Sequence, residues 1–393
     1  MSEGNTPVGV LVARARKRRG LTQQGLAQRT RYSRSHIAQV EKGHKVATPA
    51  FVAAVAAALG VDPSELYGQP FRLDGEDDHV HRVIPELRRL LAYVGFGPEL
   101  EGPPRDLAVL EAEATELRDL LENARYVRVG TRLPSLVEEL TFHAYDSDLP
   151  RAWAALYRAH HLATGLTRRL GYVGDSLAWM ERFEDSARRS GNPHLPLMIP
   201  APRALILMSM NEYAPALTLL DWARRSVNDE LSDAGEVFGY LSLRAAVVAA
   251  RAGKASLAWD YFGLASEVIE SGRLAKPVHS VQFMAENVTI HGAAVALELG
   301  DLDEAARRDR QIGPDILGGL IPERRAHHQI DMARVHVETG DDDRAMSRVL
   351  SAERIAPQMT RFHPSARTVA AHLGDVRRTL PEPLRGLQRR MGL

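Results

Sequence analysis

An all-α fold is predicted for the 393-residue chain by three features. Apolar residues make up 45% of it and aromatics only 6%, so a core must be built mostly from alanine and aliphatic side chains, which suits helices better than sandwiches or barrels. Runs rich in Val, Ile and Thr with period two are missing, so almost no sheet is expected. From residue 105 onward one helical pattern follows another. The length allows two or three domains. Cysteine is absent, which excludes a disulfide scaffold and thiolate zinc sites and fits a reducing cytoplasm, the expected location. No secretory leader is read at the start and no apolar run reaches about 18 residues, so no membrane partner is expected.

The zero net charge hides an asymmetry. Residues 1–66 hold ten Lys/Arg against four Asp/Glu, whereas residues 67–146 hold nine Arg against sixteen acids. A basic head on a neutral chain points to local contact with a polyanion. Within that head, Val8 to Arg19 reads as a helix that buries Val8, Leu11, Val12 and Ala15 and stops at Gly20. Thr22 is an N-cap candidate for a second helix in "LTQQGLAQRT". After a turn at Arg31-Tyr32, Ser33 caps a third, "SRSHIAQVEKG". "TPAFVAAVAAALG", with Pro49 in its first turn, makes a fourth, and "DPSELYG" a fifth. The third helix has unlike faces: Ile37 and Val40 on one side, and Arg34, Ser35, Ala38, Gln39 and Lys42 on the other.

Two short helices joined by a tight turn form a helix-turn-helix unit. The order L-T-Q-x-x-L-A, S-R-S-x-I-x-x-x-E-x-G, A-x-A-L-G-V-D-P-x-x-L over residues 8–67 resembles the phage-repressor family, the xenobiotic-response-element (XRE) type. The resemblance implies a DNA-binding domain over residues 1–68. It places Thr22 and Gln23 at a phosphate, Arg34, Ser35 and Gln39 at base edges, and Lys42 and Lys45 on phosphate, with the cap residue Ser33 a further DNA-binding candidate. The chemistry agrees, because Arg can pair guanine and Gln adenine in bidentate fashion. His36 is expected at the groove edge or on a solvated rim. The resemblance also implies that Glu41 pairs with Arg16 as architecture. Two residues depart from the family's pattern: Gly25, costing about 1 kcal/mol relative to Ala, and Arg31, where Gly is usual, so the turn is expected to be strained or one residue different.

Residues 69–104 read as a linker, with Pro70, Pro85, Pro98, Pro103 and Pro104, the acidic run "DGEDD", and one docking helix, "IPELRRLLAYVG". His79 and His81 lack further ligands and read as a solvated loop, not a metal site.

Residues 105–393 repeat. Ala204/Ala216/Ala223, Ala246/Ala258/Ala265, Ala293/Ala305/Ile312 and Ala333/Ala345/Ala352 share one spacing, and Asn211, Gly253, Gly300 and Gly340 each stand five residues before the middle alanine. Helical hairpins need small residues where the helices cross and a residue tolerant of positive φ in the loop. The pattern resembles the tetratricopeptide repeat, although the turn residues are 42, 47 and 40 apart instead of about 34. An earlier copy is expected around Ala178, and "PEPLRGLQRRMGL" is the expected cap. Such hairpins stack into an α-solenoid whose first helices line one side. Tyr240, Arg244, Asn287, His291, His327, Asp331 and Arg334 are the ligand-binding candidates there, Asn gripping a peptide backbone and Arg a carboxylate.

"GDSL" at 174–177 spells a hydrolase motif but sits between helical segments. No catalytic residue, metal site or cofactor is expected. The domain order resembles that of Gram-positive peptide-sensing regulators. It implies a homodimeric transcription regulator on a palindromic DNA operator, with a peptide or small-molecule effector on the repeats; alternatively the repeats bind a partner protein.

Overall fold

The computed structural model describes residues 6–73, 75–93, 95–272, 279, 282–377 and 379–393, and among them there is no strand. They divide into two units: residues 1–71 with 200–393, and residues 72–199. This differs from the head, linker and repeat division at 68/69 and 104/105.

The head holds α1 (Val8–Arg18), α2 (Gln23–Ala27), α3 (Arg34–Glu41), α4 (Pro49–Leu59) and α5 (Pro63–Tyr67). Thr48 caps α4 and Asp62 caps α5 through a capping box with Glu65. Val12, Leu26, Ile37, Phe51, Val52, Val55 and Leu66 form its sealed core. α1 lies close on α3, and glycine makes that approach possible. A Cβ on Gly9 would stand 2.1 Å from the Val40 carbonyl oxygen. Gly9→Ala is therefore expected to destabilise the head by about 1–3 kcal/mol in urea unfolding, the overpacking outweighing alanine's helix propensity.

Unit 72–199 contains a 3-10 helix (Glu76–Arg82), α6 (Val83–Leu90), α7 (Leu107–Glu122), α8 (Tyr126–Ser147), α9 (Pro150–Arg169), α10 (Val173–Arg189) and α11 (Leu195–Met198). The stretch read as a linker thus belongs to a folded body: α6 buries Val83, Ile84 and Leu87 and packs on α8. His81 is not a solvated loop residue. It is buried, and its Nδ1 lies 3.0 Å from the Tyr172 hydroxyl. The early hairpin copy pairs α9 with α10 but is not centred on Ala178, which is exposed. Its turn residue is Gly171 (φ 86°), and five residues later Ser176 is fully buried, donating to the Thr164 carbonyl at 3.0 Å. The serine of "GDSL" is thus the small crossing residue of a hairpin, one position that a search for alanine alone skips.

The rest of the first unit runs α12 (Pro200–Ser209), α13 (Tyr213–Arg225), α14 (Ala234–Arg251), α15 (Ala255–Glu270), α16 (Ala285–Leu299), α17 (Leu302–Asp309), α18 (Pro314–Gly318), α19 (Pro322–Glu338), α20 (Asp342–Ile355), α21 (Pro357–Phe362), α22 (Pro364–Val376) and α23 (Glu382–Met391). Successive hairpins are α12/α13, α14/α15, α16/α17 and α19/α20. Every alanine of the repeat frame is 0% exposed, and Asn211, Gly253, Gly300 and Gly340 all have φ between 67° and 80°. Leu384, Leu387 and Met391 of α23 are sealed at 0%, closing the last hairpin as expected of a cap.

Candidate nucleic-acid interface

Two caps position the helix pair. The Thr22 hydroxyl accepts from the Gly25 amide at 3.0 Å, starting α2. The Ser33 hydroxyl accepts from the His36 amide at 3.1 Å, starting α3. Arg31, in the turn between them, is not among the residues at positive φ, so the expected strain is not there.

Helix α3 divides as its spacing dictates. Ile37 and Val40 are 0% and 2% exposed against the head core. Arg34, Ser35, Gln39, Lys42 and Lys45 are exposed, as are Thr22 and Ser33. The one carboxylate of this helix points inward. Glu41 accepts from Arg16 Nε at 2.6 Å and a second guanidinium nitrogen at 2.8 Å, and from Gln23 Nε2 at 2.9 Å. Burial pushes the Glu41 carboxyl up, but the hydrogen bonds from Arg16 and Gln23 outweigh it and hold the group below its usual range. The outward edge of α3 therefore carries cations and amides with no acid among them. Gln23 is half-buried and held by Glu41, which fixes its amide at the start of α2.

His36 departs from expectation. Its ring is not on a rim; it stacks on Phe51 (5.3 Å between centroids) and lies against Tyr32 (4.9 Å). Burial, then Lys45, push its pKa down, so it is a neutral packing residue. Tyr32, His36 and Phe51 form one aromatic cluster in a mostly aliphatic head core.

Residues 7–66 match the family model of a helix-turn-helix domain. No curated protein matches the chain. The helix-turn-helix domain sits on the later helices of its own unit, α4 packing on α12. Arg31 donates to the Arg251 carbonyl at 3.5 Å. Tyr67 of α5 lies within electrostatic reach of Arg251, Arg334 and Glu298, and burial pushes its phenol up to about 12. None of these contacts uses the outward edge of α3.

The seven ligand candidates fall on α14, α16 and α19, the first helices of their hairpins. Arg324, which sequence reasoning missed, bridges them: its Nε donates to Asn287 Oδ1 at 3.1 Å and a terminal nitrogen meets His291 Nε2 at 3.3 Å. Tyr240 hydrogen-bonds Arg244, whose Nε is buried with no partner among the described residues. Burial, then Arg324, push the His291 pKa well down. His327 lies 3.4 Å from Asp331. Arg334 and Asp331 belong partly to a second cluster: Arg334 pairs with Glu298 at 2.9 Å and Asp331 at 3.4 Å, while Glu298 also holds Arg251 at 2.8 Å. Arg251, Glu298 and Arg334 each stand seven residues beyond Arg244, His291 and His327. Two helical turns separate each pair, so one face of three helices carries both clusters. That repeat of seven in aliphatic helices was the overlooked signal. Among the described residues, no group of three or more His, Asp or Glu could hold a metal ion, and no helix is long and apolar enough to cross a membrane.

Proposed function

We propose that the chain is a sequence-specific DNA-binding transcriptional regulator of the XRE type and has no enzymatic role. The observation that carries this reading is the outward edge of α3: Arg34, Ser35, Gln39, Lys42 and Lys45 are exposed, while Glu41 is turned into the domain. On this reading α3 enters the major groove with Arg34, Ser35 and Gln39 at base edges, capped by Ser33; Thr22, Gln23, Lys42 and Lys45 hold phosphate. The chain binds a palindromic operator as a homodimer. The hairpins form a tetratricopeptide-like sensor that mediates dimerisation, and a peptide or small molecule bound along Tyr240, Arg244, Asn287, His291 and His327 shifts the placement of the heads. The closeness of that row to Glu298 and Arg334, where Tyr67 docks, supports such coupling.

A selection of genomic DNA fragments by the purified chain at fixed salt tests the reading, and recovery of a palindrome is the expected result. Arg34→Ala should then relax preference at one position by about 1–3 kcal/mol. Lys42→Ala should weaken all sequences alike and flatten the salt slope by about one unit. Identical behaviour of the two variants would overturn the groove assignment.

A further inference from the structure

Within the first unit, between the helix-turn-helix domain and α22, lies a cleft that the inner polar row does not line and that, of the outward α3 edge, only Lys45 reaches. Val8, Val46 and Ala47 line it from the domain, and Arg367, Ala371 and His372 from α22. Its surface is mostly apolar; Lys45, Thr368 and Asp375 also line it, and two of its polar groups are buried. The Arg367 guanidinium is buried over the Phe71 ring at 4.1 Å and donates to the Met391 carbonyl at 2.5 Å. No carboxylate offsets its burial, which pushes its pKa down to about 10. His372 Nδ1 is buried with no hydrogen-bond partner among the described residues. Asp375, the acid at the edge of the cleft, is exposed and solvated.

A cation buried without a counter-charge favours an anion beside it, and the apolar remainder favours hydrocarbon. We infer that the cleft binds an amphipathic carboxylic acid, its carboxylate on Arg367 and His372 and its hydrocarbon body against Val8, Val46 and Ala371. Because one wall is the DNA-binding head, such a molecule would tie that head to the last repeat. Calorimetric titration of the full chain with 4-phenylbutyrate and with 4-phenylbutan-1-ol tests this. The acid is expected to bind at least about tenfold more tightly than the alcohol. Arg367→Met should abolish that preference and Arg367→Lys should keep part of it. Ala371→Trp, which fills the cleft without touching the charge, should abolish binding of both. Equal affinity for acid and alcohol, an unchanged preference in Arg367→Met, or binding that survives Ala371→Trp would overturn the inference. If Arg367→Met does not fold, the acid–alcohol comparison and Ala371→Trp decide. The readout is heat of binding, so failure here leaves the DNA reading standing, and failure of the DNA selection leaves this one standing.

Discussion

Glu298→Ala is expected to cost about 3–5 kcal/mol in chemical unfolding. The carboxylate stands between Arg251 at 2.8 Å and Arg334 at 2.9 Å, and the three side chains are 7–14% exposed. Removing it leaves two buried guanidiniums that repel each other, with Asp331 and Glu338 near Arg334 as partial compensation. That uncompensated charge, more than the lost attraction, makes the effect large. The pH dependence has a definite sign. Burial raises the Glu298 pKa, but Arg251 and Arg334 outweigh it and bring it from 4.5 down to about 2. A carboxyl depressed on folding contributes fully above its unfolded value, and the contribution disappears as pH falls through the folded one. The gap in stability between the natural chain and Glu298→Ala should therefore be widest above pH 4.5 and close toward pH 2. A pH-independent gap would mean that Glu298 acts only by filling space.

Glu41→Ala should be comparably costly to the head, again about 3–5 kcal/mol. Arg16 and Glu41 have side chains 8% and 6% exposed and share two short hydrogen bonds. The variant strands the Arg16 cation, which keeps only the Leu21 carbonyl at 2.6 Å, and frees Gln23. Hydrogen exchange checks this: α1 and α3 amides should lose protection while those of α9 and α10 do not. Glu41→Gln should fall between, since it can still accept from Arg16 without the charge. Because the Glu41 pKa lies below its usual range, this stabilisation too is present above the unfolded value and lost as pH falls.

Local rules carried much of the fold. A small residue at a helix crossing and a left-handed residue in the loop are consequences of backbone sterics, so the alanine frame and Asn211, Gly253, Gly300 and Gly340 could be placed without coordinates. The same holds for the Thr22 and Ser33 caps and the inward Ile37 and Val40. What could not be placed depends on long-range packing. Nothing near Tyr67 says that it will meet Arg251 and Arg334, and nothing near Arg72 says that a unit begins there and ends at Ile199. His36 was misplaced because helical spacing gives a direction but not what Phe51, fifteen residues on, will bring beside it. The early hairpin was misread by two residues because serine can fill a crossing as well as alanine when its hydroxyl bonds the facing backbone, as Ser176 does.

The discontinuity of the first unit has a consequence for biosynthesis. The head leaves the ribosome complete, but the helices on which it rests begin at residue 200, after the whole of residues 72–199 has been made. At about 5–20 residues per second, that interval lasts on the order of 6–25 seconds. During it the nascent head has no seat, and Tyr67 faces water instead of Arg251 and Arg334. The newborn chain thus passes through a stage in which its amino-terminal part is made but unmoored, and only the second half of translation supplies the anchor.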